Sequence, residues 1–263
     1  MTTRVRLVAT DLDGTLLGLD GVVSERTREV IAAVVATGVH VVAATGRSQW
    51  TAAPLVAPVT GMDLVVCSNG ASLYDLRGRR SLASYPIDDA VVREVVQVLA
   101  GALPGCTYGW ETDDALHYEA AFLDERPSVA RPASPDLAAT AGPLGIRKLM
   151  VAHPGIGHYE LLDTLLPLLP PGCVGSTSGA PFVEVTGTGI DKAFGVQQVC
   201  TRLGIASDEV LAFGDNHNDV RMLQWAGRGV AMGNAHDSVR IVVDEATTSN
   251  VEDGVAAVLE TLL

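Results

Sequence analysis

Lysine is almost absent from this chain of 263 residues: only Lys148 and Lys192 occur, and the other sixteen basic residues are arginine. Acids outnumber bases 31 to 18, a formal charge of −13. That balance argues against a broad grip on nucleic acid or on an anionic membrane, because phosphate contacts need clustered Lys and Arg. A small anionic substrate remains open, since it needs only a local positive site. Cysteine is scarce as well. Cys67, Cys106, Cys173 and Cys200 include no pair at zinc-ribbon or CxxC spacing, so they read as reduced structural thiols of a cytoplasmic protein. No leader-like segment is expected, because the apolar run after Arg4 and Arg6 stops at Asp11. The longest charge-free apolar stretch, residues 30–46, is 17 residues long and is broken at Thr37-Gly38. It is too short for a good membrane span. A second uncharged stretch, residues 164–183, carries Pro167, Pro170, Pro171 and Pro181, which no spanning helix holds comfortably.

What is present is globular: 48% apolar and 19% charged residues, enough for one or two domains at about 100–200 residues each. Residues 4–10 and 39–44 predict apolar strands, and residues 63–67 a third. Between them lie a helix at 24–37, capped by Ser24 and stopped by Gly38, and a short helix at 49–57 capped by Ser48. The alternation resumes with a helix at 190–203, a strand at 210–213, a helix at 217–225, a strand at 229–232 and a closing helix at 251–263. Apolar strands alternating with helices predict a parallel sheet covered on both faces. From 83 to 187 the texture changes. A helix at 88–99 and strands at 107–110 and 115–119 precede a Pro-rich stretch with Pro127, Pro132, Pro135 and Pro143. A strand at 147–152, a helix at 158–166 and a strand at 182–185 follow. The expectation is an α/β, doubly wound, Rossmann-like core built from residues 1–82 and 188–263, with an inserted α+β domain at 83–187.

Four polar clusters fall where strands end or helices begin, which is where doubly wound sheets bind ligands. Asp11-Leu12-Asp13-Gly14-Thr15-Leu16 follows the first strand. An extended backbone would point both carboxylates the same way, a costly pairing unless a cation or a proton neutralises it. An Asx turn bent by Gly14 would explain the same residues. Thr45-Gly46-Arg47 ends the second strand and could be a plain turn and helix cap. Lys192 sits in the first turn of a helix, where a cation opposes the dipole. It makes sense there facing bound phosphate or carboxylate, or simply paired with Asp191. Gly214-Asp215-Asn216-His217-Asn218-Asp219 follows the strand at 210–213. It offers oxygen ligands suited to Mg²⁺, or ordinary N-capping.

Together and in this order, the clusters resemble the haloacid dehalogenase superfamily of phosphohydrolases, specifically its Cof-type branch. DLDGTL is similar to the first family motif, TGR to the second, the Lys192 helix to the third and GDNHND to the fourth. SNGA at 68–71, AMGNA at 231–235 and SNVEDGVA at 249–256 also resemble the branch. The resemblance implies Asp11 as nucleophile, forming an aspartyl-phosphate, and Asp13 as acid and then base, which needs Asp13 protonated for the first step. It implies Mg²⁺ held by Asp11, the Asp13 backbone carbonyl and Asp215, with Asp219 supporting the metal shell and orienting Lys192. Thr45, Gly46, Lys192 and Asn218 would bind phosphoryl oxygens. His217 occupies a position the family leaves open, and residues 234–246 carry Arg240 where the family usually has a lysine. With 144 residues between Arg47 and Lys192, the insert would be a C2-type cap that selects substrate.

The implied activity is Mg²⁺-dependent hydrolysis of a small phosphorylated metabolite, sugar phosphates first, then pyridoxal phosphate or flavin mononucleotide. The alternatives are a phosphotransferase or phosphomutase on the same site, or a non-catalytic protein binding the metabolite. Neither a nucleic acid nor a membrane partner is expected. Arg47 and Asn69 on the core side, and His117, Arg147, Ser178 and Glu184 in the insert, are candidate substrate contacts. Trp50, Trp110 and Trp225 read as packing residues, with Trp110 a candidate to line the pocket.

Overall fold

The computed structural model describes residues 4–122, 133, 134, 136–140 and 142–263; Pro127, Pro132 and Pro135 of the expected Pro-rich stretch lie outside the described residues. The chain forms two compact units, Met1–Ala83 with Asp191–Leu263, and Ser84–Ile190.

The first unit begins with β1 (Leu7–Thr10), α1 (Glu25–Ala36), β2 (His40–Ala44), α2 (Gln49–Val56), β3 (Leu64–Cys67), β4 (Ser72–Asp75) and β5 (Arg80–Ser84). Ser24 caps α1 by accepting from the Thr27 N–H. Ser48 makes no such bond to α2. Its hydroxyl instead meets that of Thr51 at 3.1 Å. β4 and β5 were not expected. β5 is half-exposed and starts at Arg80, so no apolar run announces it.

The second unit holds α3 (Asp89–Ala102), β6 (Thr107–Glu111), β7 (Leu116–Glu119), β8 (Ala133–Ser134), β9 (Lys148–Ala152), α4 (His158–Leu165), β10 (Cys173–Ser176) and β11 (Val183–Gly187). Its six strands run in the order β10-β11-β9-β6-β7-β8. One core joins Val92, Val95 and Leu99 of α3 and Leu161 and Leu165 of α4 to Trp110, Leu149, Val151, Val183 and Val185 of the sheet. Trp110 therefore packs beneath the helices.

The chain returns to the first unit with α5 (Lys192–Leu203), β12 (Val210–Gly214), α6 (Val220–Trp225), β13 (Arg228–Ala231), α7 (Asp237–Arg240), β14 (Glu245–Ala246) and α8 (Gly254–Leu259). The expected helix at 251–263 is interrupted at Asp253, which is left-handed (φ 58°). The interruption lets the Asp253 carboxylate accept from the hydroxyls of Ser24 and Thr27 at the start of α1. The expected helix at 217–225 opens with a 3-10 turn, His217–Asp219, before α6. α5 starts at Lys192, two residues later than expected, because Asp191 is its cap and accepts from the Phe194 N–H.

The sheet of this unit has the order β14-β13-β12-β1-β2-β3-β4-β5, with β14 to β3 parallel and β4 antiparallel to β3. The chain winds outward from β1 through β2 and β3, then restarts on the other side at β12. The switch point therefore lies between β1 and β12, and the crevice at their carboxyl ends is the expected ligand site. β1 and β12 are buried along their whole length. Each such Val or Leu contributes about 1.5–3 kcal/mol on burial, set against the entropy of ordering it. Among the described residues no helix is long and apolar enough to cross a membrane.

Candidate active site

Asp11 is the first residue after β1, and its N–H donates to the carbonyl of Phe213 in β12, which fixes it at the switch point. The chain then curls at once: the N–H groups of Thr15, Leu16 and Leu17 all donate to the Leu12 carbonyl. This turn overrides the two-residue alternation of a strand, and the two aspartates differ in exposure. Asp11 is buried and Asp13 exposed. The Asp13 carboxylate is gripped from two sides by the Arg47 guanidinium, Nε to Oδ2 at 2.6 Å and Nη2 to Oδ1 at 2.5 Å. Arg47 thus contacts Asp13.

Lys192 opens α5 wholly buried. Its Nζ donates to Asp11 Oδ1 and to Asp219 Oδ1, each at 2.6 Å. The third and fourth clusters thereby meet the first. Asp219 Oδ2 accepts from the N–H groups of Asp215 and Asn216, closing the loop after β12 as a cap. Asp215 Oδ1 accepts from the Thr15 hydroxyl at 2.8 Å. Two glycines make room. A Cβ on Gly14 (φ 80°) would lie 2.4 Å from Asp215 Oδ2, and one on Gly214 would lie 2.4 Å from the Asp219 Cβ.

Carboxylate oxygens of Asp11, Asp215 and Asp219 come within 4.8 Å of one another. Three carboxylates face one ammonium. Burial pushes Asp11 well above the usual carboxylate range; Lys192 opposes the shift, and Asp219, Asp215 and Asp13 add to it. Asp215 is pushed up to about 7, by burial first and then by Asp219. Burial alone would lower Lys192, but Asp11 and Asp219 outweigh it and raise it. A site with this surplus of hard oxygen donors fits a divalent cation such as Mg²⁺. Asp11, Asp215 and Asp219 could hold it; the Asp13 carboxylate, engaged by Arg47, stands apart from the group.

The second cluster is tied in by backbone. The Thr45 N–H donates to the Val66 carbonyl, and the Thr45 hydroxyl accepts from the Arg47 N–H. Gly46 lies half-buried between them. A 3-10 turn, Ser68–Gly70, follows β3 with positive φ at all three residues (53°, 53° and 94°). Left-handed geometry costs a residue such as Ser68 about 1 kcal/mol or more, while Asn and Gly tolerate it. Asn69 Oδ1 accepts from Asn218 Nδ2 at 3.0 Å. The ring of His217 lies against that of His236, and the backbone N–H of His236 donates to the Asp215 carbonyl.

In the inserted unit the other lysine repeats the pattern. Lys148 Nζ lies 3.0 Å from Glu111 Oε1 and 2.9 Å from Glu184 Oε1, all three side chains buried. Burial would lower its pKa, but the two glutamates raise it. Both lysines of the chain are therefore buried, each bridging two carboxylates. Arg147 is also buried and pairs with Asp113 at 3.5 Å. Ser178, half-buried, lies in the loop between β10 and β11. His117 stacks on Trp110 and meets the hydroxyls of Thr112 and Ser134, and burial lowers its pKa. Sequence reasoning missed Glu111 and Thr15. A glutamate closing the apolar strand Tyr-Gly-Trp, and a threonine inside DLDGTL, were the available signals. Trp50, expected to pack, is exposed on α2.

A buried carboxylate bonded to a buried ammonium, within a group of three carboxylates that fits a cation, thus lies at the switch point of the sheet, an arrangement suited to phosphoryl transfer. Comparison with known proteins agrees. The haloacid dehalogenase-like hydrolase family matches residues 8–259, and the chain belongs to that family. It is 30% identical to the 5-amino-6-(5-phospho-D-ribitylamino)uracil phosphatase YitU of Bacillus subtilis, over 99% of this chain and 98% of that protein. It is also 30% identical to the pyridoxal phosphate phosphatase YbhA of Escherichia coli, over 95% and 97%. Among solved structures, the haloalkanoate-superfamily phosphatase BT1666 from Bacteroides thetaiotaomicron superposes with a TM-score of 0.82 at 25% identity, covering 98% of this chain and 95% of that one.

Proposed function

We propose that this phosphoric monoester hydrolase cleaves a small phosphorylated metabolite through a phosphoryl group carried on Asp11. The observation that carries the reading is the Lys192 bridge, one buried ammonium bonded to both Asp11 and Asp219 at 2.6 Å. It fixes the orientation of Asp11 and sets an ammonium beside the carboxylate that would carry the phosphoryl group. Asp11 attacks phosphorus and the phosphorus–oxygen ester bond breaks. Asp13 gives the leaving oxygen its proton, then takes one from the water that attacks phosphorus; the bond from phosphorus to Asp11 breaks, inorganic phosphate leaves, and Asp11 is a free carboxylate again. Asp13 is paired with Arg47. Thr45, Gly46, Lys192 and Asn218 hold phosphoryl oxygens. Mg²⁺ would be held by Asp11, Asp215 and the Asp13 backbone carbonyl, with Asp219 behind them, and when bound it supplies positive charge to the phosphoryl group.

The inserted unit acts as a C2-type cap that selects substrate. Within it, Arg147 and Glu184 are committed to ion pairs with Asp113 and Lys148, so we assign them to holding its sheet. Ser178 stays the insert's candidate for substrate contact. Sugar phosphates head the substrate classes. Pyridoxal phosphate and ribitylaminouracil phosphate follow, since the relatives named above act on those compounds. The test is inorganic phosphate release across a panel of such esters, with Mg²⁺ and with excess chelator. Mg²⁺-dependent release, ranked by kcat/KM, supports the reading. Release that persists undiminished in chelator contradicts the metal assignment, and no release from any ester contradicts the substrate class.

A further inference from the structure

We propose that Asn69 is a direct ligand of the transferred phosphoryl group, its amide N–H donating to a phosphoryl oxygen beside Thr45 and Asn218. The inference rests on the phosphatase reading above and deepens it. Asn69 is only 2% exposed. Its Oδ1 is used by Asn218, but among the described residues no acceptor reaches its Nδ2. A buried donor without a partner is rare in a folded protein and calls for a reason. The Asn69–Asn218 pair makes one hydrogen bond and keeps the Asn69 amide NH2 and the Asn218 amide oxygen to spare.

The backbone around Asn69 is tied to every segment that builds the phosphoryl site in this unit except the first. The Asn69 N–H donates to the Thr45 carbonyl at 3.0 Å, and the Ser68 N–H to the Arg47 carbonyl at 2.9 Å. Gly70 lies so close to the Asp191 carbonyl, one residue before Lys192, that a Cβ there would come within 1.9 Å of it. The Asn218 amide completes the set. Three successive positive φ values hold this turn in a shape that plain chain reversal does not require. A neutral amide suits the position. It donates to an anion without adding another buried charge to a site that already holds three carboxylates and one ammonium.

A purely structural role would need Asn69 for its tolerance of left-handed backbone and for the oxygen it gives Asn218; aspartate keeps both, and loses only the donor. Glycine tolerates that geometry at least as well and carries no amide. The test is therefore Asn69→Gly, with Asn69→Asp as a second variant that keeps size and left-handed tolerance but loses the donor. Binding of inorganic phosphate in the presence of Mg²⁺ is measured by calorimetry, and p-nitrophenyl phosphate turnover and thermal melting are followed alongside. The expected result is a melting temperature close to wild type with phosphate affinity weakened about 10- to 100-fold, the loss of one charge-assisted hydrogen bond. Asn69→Asp should weaken it further. Should glycine unfold the turn, the aspartate variant carries the test. Unchanged phosphate affinity in a folded variant, with wild type binding and turning over normally, overturns the role of Asn69 and leaves the phosphatase reading standing. A wild type that neither binds phosphate nor releases it overturns both.

Discussion

Replacing Lys148 by methionine isolates the physics of a buried ion bridge from the chemistry of the site. Lys148 is buried to within 3% of its side-chain surface, as are Glu111 and Glu184, and its Nζ lies 3.0 and 2.9 Å from their oxygens. At an effective dielectric of about 20, each such contact carries roughly 5 kcal/mol of attraction, most of which repays desolvation. Removing the cation abolishes the attraction and leaves two carboxylates buried side by side. The expected cost is about 3–5 kcal/mol, the range measured when one partner of a buried pair is deleted. For a protein of this size that lowers the melting temperature by roughly 6–20 °C, at about 2–4 °C per kcal/mol. Calorimetric or circular-dichroism melting reads it directly. A triple variant, Lys148→Met with Glu111→Leu and Glu184→Leu, should regain much of the loss, because no uncompensated charge remains. A melting point for Lys148→Met within 2 °C of wild type (about the effect of one weak surface contact) would refute the reasoning. So would a triple variant less stable than the single one.

Three further outcomes follow from the first unit. Asp215 is raised to about 7 by burial and by Asp219, so its folded pKa lies above its unfolded value. The site therefore costs stability as pH rises from about 4 to about 7, and the full deficit holds above that window. Mg²⁺ has to displace the proton, so the gain in melting temperature on adding Mg²⁺ should be larger at about pH 8 than at about pH 5; equal gains would contradict it. Gly14→Ala places a Cβ 2.4 Å from Asp215 Oδ2 in a backbone that is already left-handed. It should lower both the melting temperature and the Mg²⁺ affinity, and unchanged Mg²⁺ titration would count against the assigned site. Lys192→Met removes the cation shared by Asp11 and Asp219 and should cut kcat by about 10²–10³-fold in steady-state assays.

The parts legible in the sequence were those set by local chemistry. Apolar runs gave β1, β2, β3 and β12, Ser24 marked the start of α1, and the polar clusters stood at element ends, where a doubly wound sheet collects them. The illegible parts depended on register or on a local turn. Lys148 meets Glu184 36 residues further along the chain and Glu111 on a neighbouring strand, and no spacing rule connects residues paired across β11, β9 and β6. Asp11 and Asp13 look like equivalent neighbours on an extended strand, yet the turn that gathers three N–H groups on the Leu12 carbonyl leaves one buried and the other exposed. β4 and β5 escaped notice because they lie toward the edge of the sheet, where polar side chains are tolerated and no apolar run is needed.

The central claim is that Asp11 carries the phosphoryl group. Asn in its place keeps the shape and the oxygen that Lys192 needs, but it is a poor nucleophile. The most direct measurement is Mg²⁺-dependent phosphate release by wild type and Asp11→Asn, side by side on the best ester of the panel, with melting curves confirming that both are folded. The account predicts wild-type turnover and a variant at least about 10³-fold slower with its fold intact. A folded variant that releases phosphate at the wild-type rate would contradict it.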